Sequence, residues 1–283
     1  MVIDFVIAYV DNTDIVWRKK YIDYCTKNRL QEKIVELSGN RYGGINFINW
    51  QIKLVNKNMP WVNKIYLLLS NIEQKPKDLP NNVEIVLHED FIPYAFLPTF
   101  NSTTIEMFLW NIKGLSEHFI YANDDMLPIK PLKPSDFFEE DKIKIRWQKQ
   151  EFSENMTIFA YQCRNNVIAL SRKLGVKVNL NEIIKPLHSF TPIIKSHAKE
   201  SLYLIKDYVL KHIRAFRTIY QYNQYIYPLY EMWKYGTLDS DLDFFYTELD
   251  QDFTLDHDIV CINAEKKNNY VKQFLMEIKK ICE

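Results

Sequence analysis

The sequence has 283 residues, enough for one large domain, and its hydrophobic content of 47% predicts a packed core. Lys plus Arg and Asp plus Glu each number 36, so the formal net charge is zero. This balance excludes a protein built mainly to coat nucleic acid, which would carry a basic excess. With only six glycines, Gly-rich loops that cradle phosphates are not expected.

The N-terminal segment meets an acid at Asp4 and has no basic run, so it is predicted to be a strand and not a signal peptide. No apolar run approaches the roughly 18 residues that span a bilayer. We therefore expect a cytoplasmic protein, at the inner face of the membrane if it associates with one, and at most peripherally. The four cysteines form no Cys-x-x-Cys pair, which favours reduced thiols over a zinc or redox site.

Apolar patterns predict alternating strands and helices in the first half of the chain. The predicted strands are residues 2–10, 64–69, 83–87 and 119–122, and the predicted helices are residues 17–37, 45–58 and 103–112. Such an alternation is typical of an α/β fold with a largely parallel central sheet. In such sheets, the loops at the carboxyl ends of the strands form the ligand crevice.

The second half of the chain has a different pattern. Residues 142–148 and 156–161 are predicted to be strands or loops near the site, residues 260–263 a last strand, and residues 266–282 a closing helix. Residues 196–236 are mostly helical in pattern and rich in Tyr. We expect one domain over residues 1–283 that contains a helical subdomain at 196–236.

Paired carboxylates follow the predicted strand at 119–122, in the turn Asn123-Asp124-Asp125. Two adjacent carboxylates can hold Mg²⁺ or Mn²⁺, which prefer oxygen ligands, and one of them can instead act as a base on a hydroxyl. A turn that uses Asn and Asp to bond its own backbone is the structural alternative. Acidic residues at other strand ends favour the functional interpretation.

The first predicted strand ends in a second acidic loop. Asp14 is interpreted as the N-cap of the helix that follows, because its spacing to Trp17 suits a capping side chain. Asp11 is interpreted as a ligand-binding residue. The segment from Asp239 to Asp243 imitates a calcium loop, but Phe244 stands where the sharp turn requires Gly, so we reject it.

Candidate acid–base and phosphate-binding residues lie further along the chain. His188 stands between two prolines in a stiff segment that can fix an imidazole as acid or base, although a lone His is more often structural. Arg217, Lys195 and Arg41 are candidates for binding phosphate oxygens. A solvated helix face is the alternative explanation for such basic residues.

Several of these segments resemble the Stealth family. Residues 97–106 (LPTFNSTTIE) and 112–126 (IKGLSEHFIYANDDM) resemble its second conserved block, and residues 3–17 resemble its first. Residues 188–196 (HSFTPIIKS), together with Phe216-Arg217 and Asn223-Gln224, resemble its third block.

The resemblance implies a GT-A-like nucleotide-sugar transferase fold and a single catalytic domain. It implies transfer of hexose-1-phosphate or N-acetylhexosamine-1-phosphate from a UDP-sugar to a hydroxyl of an oligosaccharide or polysaccharide, with release of UMP, in capsule or exopolysaccharide synthesis. The implied cofactor is Mg²⁺ or Mn²⁺. The implied catalytic residues are Asp125, His188 and Arg217; the metal ligands are Asp124 and Asp125; the substrate-binding residues are Asp11, Arg41, Asn101, Lys195 and Asn223.

Two other functions suit the same residues. A conventional metal-dependent glycosyltransferase would break the sugar C1–O bond and release UDP. A catalytically impaired family member would bind glycans as part of a polysaccharide assembly complex. The nucleotide product separates the first alternative from phosphate transfer, and substitution of Asp125 or His188 separates the second.

Overall fold

The computed structural model describes residues 1–37, 46–264 and 268–283. Its helices are α1 (Ile15–Lys27), α2 (Gln31–Leu37), α3 (Ile48–Asn58), α4 (His88–Phe91), α5 (Ser102–Glu106), α6 (Ile158–Leu174), α7 (Lys195–His212), α8 (Ile226–Lys234) and α9 (Asn269–Cys282). Its strands are β1 (Ile3–Ala8), β2 (Ile65–Leu69), β3 (Val83–Leu87), β4 (His118–Asn123), β5 (Met126–Pro128), β6 (Phe138–Glu139), β7 (Lys142–Ile143), β8 (Trp147–Glu151), β9 (Glu182–Pro186), β10 (Thr191–Ile194), β11 (Phe244–Thr247) and β12 (Ile259–Ile262).

The central sheet has the strand order β10-β4-β1-β2-β3. Strands β2 and β3 are parallel, with Leu67 opposite Ile85, and β10 runs antiparallel to β4. Every residue of β2 is buried, as its continuous apolar sequence predicts for a strand covered on both faces. The predicted α/β class with a largely parallel sheet is confirmed.

The chain divides into two compact units, which we describe separately. Unit 1 comprises Met1–Phe5, His88–Tyr121 and Pro134–Asp241; unit 2 comprises Val6–Leu87, Ala122–Lys133 and Leu242–Glu283. In unit 1, helices α6, α7 and α8 pack against one another, and β8 pairs with β9.

The core of unit 2 gathers around helix α9. Val271, Phe274 and Ile278 are buried on one face of α9, three and four residues apart as helix geometry requires. They pack against Val260 and other apolar residues of β12, which pairs with β5 on one side and β11 on the other. Burial of a side chain of this size stabilises the fold by about 1.5–3 kcal/mol. This core supports the end of the turn that enters β5.

Three predicted elements differ from the structure. The helix predicted at 17–37 is two helices, because the chain turns at Arg29 with φ of 57°. The helix predicted at 103–112 ends at Glu106 and is followed by a separate 3₁₀ turn at Leu109–Asn111. The strand or loop predicted at 156–161 is wrong, since Thr157 caps the long helix α6 there by accepting from the Ala160 N–H.

Helices α7 and α8 confirm the predicted helical content of residues 196–236, whereas the subdomain itself stays a prediction. All four cysteines are free. Among the residues that the structure describes, no helix is long and apolar enough to cross a membrane.

Candidate active site

The carboxylate pair of unit 2 lies in the tight turn that joins β4 to β5. The Asn123 carbonyl accepts from Gln51 Nε2 at 2.7 Å, and the Asp125 carbonyl accepts from the Ile262 N–H at 2.8 Å. Gln51 is fully buried, so its amide is a rigid anchor. Both of these hydrogen bonds use backbone oxygens. These two hydrogen bonds therefore hold the turn through its backbone and do not involve the carboxylates.

The first carboxylate of this turn is disfavoured in its charged form by burial and by its neighbour. Burial, and then the charge of Asp125, raise the pKa of Asp124 to about 8. Neighbouring carboxylates disfavour each other's ionisation without a compensating charge, and with a pKa of about 8 Asp124 keeps its proton near neutral pH. A hard divalent cation bound by oxygen ligands supplies such a charge. The donor set of Asp124 and Asp125 thus fits the predicted Mg²⁺ or Mn²⁺.

Asp11 lies in the loop between β1 and α1. Its Oδ1 accepts from the Thr13 N–H at 2.8 Å and from the Thr13 hydroxyl at 2.6 Å, which closes a tight local turn. Burial, and then Asp11, raise the pKa of the Tyr9 phenol, and Asp124 adds to the shift. Asp11 and Asp124 therefore both act on one hydroxyl. Binding of substrate by Asp11 stays a prediction.

Asp14 has the capping role predicted from its spacing. Its Oδ1 accepts from the Trp17 N–H at 2.6 Å and from Asn71 Nδ2 at 3.1 Å. The prediction of an N-cap is confirmed, and Asp14 belongs to the structure of the loop rather than to its chemistry.

Cys261 is a residue of this site that the sequence analysis missed. It lies on β12 opposite Met126, and its thiol hydrogen-bonds to the Asp125 carboxyl. Burial, and then Asp125, raise its pKa well above the ordinary value, so the thiol stays protonated and is a donor to the carboxylate. An apolar strand sequence, Ile-Val-Cys-Ile, gives no signal of this contact.

In unit 1, His188 follows strand β9 and is held by aromatic neighbours. Its Nδ1 lies 3.0 Å from the Tyr225 hydroxyl, and the edge of Phe159 packs against its ring at a centroid distance of 5.8 Å. Burial, and then the charges of Lys185 and Arg217, lower the pKa of His188 to about 4. The imidazole is therefore neutral at pH 7, which an acceptor of protons requires.

Arg217 is joined to the buried carboxylate of Glu106 through a hydroxyl. Arg217 Nη2 donates to Ser102 Oγ, and Ser102 in turn bonds Glu106. Gln224 donates its backbone N–H to Glu106 Oε2 at 3.0 Å, and its amide nitrogen, suitably oriented, lies 2.6 Å from the same oxygen. Burial raises the pKa of Glu106, and the charge of Arg217 opposes that shift.

Glu106 was not among the predicted site residues, although a lone acid in an apolar run is a usable signal. Glu106 is only 3% exposed, and burying a carboxylate costs free energy even when it is hydrogen-bonded on several sides. Its hydrogen bonds hold the neighbouring groups in position. Here Glu106 hydrogen-bonds to the Ser102 hydroxyl, which in turn accepts from Arg217.

The polar atoms of the remaining predicted residues make contacts inside the protein. Asn101 caps α5 by accepting from the Thr103 N–H at 3.1 Å. Asn223 Oδ1 accepts from the Asn166 amide at 2.7 Å, and Lys195 Nζ donates to two backbone carbonyls at 3.0 Å. Their substrate contacts stay predictions. Arg41 lies outside the described residues.

The fold and the acidic turn define an α/β protein with a candidate divalent-cation site at a strand end. Residues 41–146 match the family model described as Stealth protein CR2, conserved region 2. The chain is 30% identical over 220 residues to a capsular polysaccharide phosphotransferase of Neisseria meningitidis serogroup B. It is 43% identical over 143 residues to the receptor polysaccharide phosphotransferase WefC of Streptococcus gordonii.

These matches show that the chain carries conserved region 2 of the Stealth family, and the predicted resemblance to that family is confirmed. The first alignment covers 72% of this chain and 57% of the relative, and the second covers 49% and 42%. The chain thus spans about half the length of the curated relatives it matches.

The structure is also similar to that of the galactosyltransferase LgtC in complex with donor and acceptor sugar analogues. The TM-score is 0.43 at 13% sequence identity, with 99% of this chain and 95% of that chain covered.

Proposed function

We propose that this protein transfers hexose-1-phosphate, or N-acetylhexosamine-1-phosphate, from a UDP-sugar to a hydroxyl of a glycan in cell-surface polysaccharide synthesis. We propose that it acts in the cytoplasm, at the inner face of the membrane. The observation that carries the proposal is the acidic turn of Asp124 and Asp125, which lies within the region matched to Stealth conserved region 2. Relatives named polysaccharide phosphotransferases support the reaction class.

The proposed reaction is an in-line displacement at the phosphorus that carries the sugar. The acceptor oxygen forms a bond to this phosphorus, the bridging P–O bond breaks, and UMP leaves. A phosphodiester then joins the sugar to the acceptor. The proton of the acceptor hydroxyl passes to Nε2 of His188, which is neutral at pH 7. The guanidinium of Arg217 binds non-bridging phosphate oxygens with two N–H donors.

Asp124 and Asp125 are the proposed ligands of Mg²⁺ or Mn²⁺, and the bound ion would neutralise charge on the pyrophosphate. Asp11, Asn101, Lys195, Asn223 and Arg41 are the proposed substrate-binding residues. In phosphoryl transfer, most of the rate acceleration comes from positioning and electrostatics, so charged residues held by rigid backbone suit the task.

The experiment is an incubation of the protein with a panel of UDP-sugars, Mg²⁺ or Mn²⁺, and short glycan acceptors. We expect UMP release that depends on the acceptor and falls by about 100-fold or more in Asp125→Asn. Asp207→Asn is the matched control, because Asp207 is an exposed residue of α7. UDP as the sole nucleotide product would instead establish a conventional glycosyltransferase. Glycan binding without any nucleotide release would establish a binding protein.

A further inference from the structure

Tyr225 lies at the end of a short hydrogen-bond chain that begins at His188. Its hydroxyl is 3.0 Å from His188 Nδ1 and 3.4 Å from the Leu187 carbonyl oxygen. Its side chain is rigid, since the residue is 2% exposed and its ring packs edge-on against Phe159 at 5.6 Å. Its backbone N–H donates to Asn223 Oδ1 at 3.2 Å. The hydroxyl is therefore held in place from both ends of the residue.

If both contacts of the Tyr225 hydroxyl are hydrogen bonds, they fix one direction for this chain. The hydroxyl has one proton, and the Leu187 carbonyl can only accept. That carbonyl already accepts from the Ser189 N–H at 2.8 Å, and because a carbonyl oxygen has two lone pairs it can also accept from the hydroxyl. Both contacts of Tyr225 are hydrogen bonds at once only if its proton points to Leu187 and His188 donates from Nδ1. If the Tyr225 hydroxyl instead donated to His188 Nδ1, its contact with the Leu187 carbonyl would not be a hydrogen bond.

We propose that Tyr225 is a positioning residue that holds His188 in the tautomer protonated at Nδ1, so that Nε2 carries the lone pair. The use of this lone pair to accept the proton of the glycan hydroxyl rests on the proposed function; the tautomer does not. A neutral imidazole must be one tautomer or the other, and the hydrogen bond at one nitrogen selects the state of the second. The neutrality of His188 at pH 7 supports the assignment.

The test is ¹⁵N NMR of histidine-labelled full chain near pH 7.5, with the His188 signals assigned by their loss in His188→Gln. We expect a protonated Nδ1 and an unprotonated Nε2 in the wild-type protein. Tyr225→Phe keeps the ring but removes the hydroxyl, and we expect it to move His188 toward the Nε2-protonated tautomer. Tyr161→Phe is the matched control, because the Tyr161 hydroxyl donates instead to the Glu154 carbonyl at 2.7 Å.

An unprotonated Nδ1 in the wild-type protein overturns the proposal, as does a tautomer that Tyr225→Phe leaves unchanged. Neither NMR measurement requires turnover, so both still test the tautomer if the proposed reaction proves wrong. Where transfer is measurable, we expect Tyr225→Phe to lower kcat by about 10-fold with little change in KM, a part of the full general-base contribution. The control variant should leave kcat unchanged.

Discussion

Asp124→Asn removes one of the two carboxylates in the turn after β4, and we expect it to stabilise the metal-free protein. Burial and Asp125 raise the pKa of Asp124 from 3.8 to about 8. One pKa unit corresponds to about 1.4 kcal/mol, so the roughly three units between 3.8 and pH 7 set an upper bound of about 4 kcal/mol on the cost of folding this carboxyl. Asp124 is only half-buried, and solvent screening reduces the figure to about 1–2 kcal/mol.

The sign of this effect depends on pH and on the cation. Because the folded-state pKa is raised, the wild-type protein loses stability as the pH rises from about 4 toward 8, whereas Asp124→Asn does not. The expected gain in Tm at pH 7 in EDTA is about 2–8 °C, and it vanishes below about pH 4. Saturating Mn²⁺ should reverse the order, since a cation at a hundred times its Kd stabilises a ligating protein by about 2.7 kcal/mol.

Thermal unfolding followed by circular dichroism, with and without Mn²⁺, measures these differences. The exposed Asp207→Asn is the control and should change the free energy of unfolding by no more than about 0.5 kcal/mol. A lower Tm for Asp124→Asn than for the wild-type protein in EDTA would refute the reasoning, because it would mean that burial and the charge of Asp125 do not disfavour ionised Asp124. Equal stabilisation of both proteins by Mn²⁺ would remove Asp124 from the ligand set.

Two further substitutions test the charges of unit 1. Glu106→Gln should lower the rate of UMP release by about 10-fold or more, because Ser102 and Arg217 lose their anionic anchor. Its Tm should not fall, since burial already disfavours the charged form of Glu106; a lower Tm would indicate that the carboxylate is a net stabiliser. Burial, and then Glu200, raise the pKa of Glu231 to about 8, so wild-type stability should decline as the pH rises from about 4.5 toward 8. Glu231→Gln should flatten that decline in thermal melts, and an unchanged slope would exclude Glu231 as its source.

Local patterns were sufficient to predict four strands of the central sheet, β1 to β4, but not its edge strand β10 or the ends of the helices. A run such as Ile65–Leu69, apolar at every position, has few structures open to it besides a strand buried on both faces. The break at Arg29 depends on one residue with positive φ, and its neighbours continue the helical pattern on both sides. Helix α6 did carry its own signals, with Thr157 as N-cap and Gly175 at φ of 70° as C-cap.

The candidate site could be predicted where its polar residues come directly after a strand in the sequence. Asp124 and Asp125 come directly after β4, so the rule that ligands bind at strand ends was enough to select them. Glu106, Tyr225 and Cys261 could not be selected in this way, because their roles depend on partners that lie far away along the chain. Glu106 meets Gln224 and Tyr225 meets His188 only after unit 1 has folded.

The lowered pKa of His188 links its strength as a base to the presence of substrate. A pKa of about 4 makes the free imidazole a weak base, and two of the three causes are the cations Lys185 and Arg217. A bound pyrophosphate would offset the charges of these cations and raise the pKa of His188, although burial, the largest cause, would continue to lower it. A base with a pKa closer to the working pH is the more effective one. Under the proposed function, His188 is therefore a stronger base with the anionic donor bound than without it.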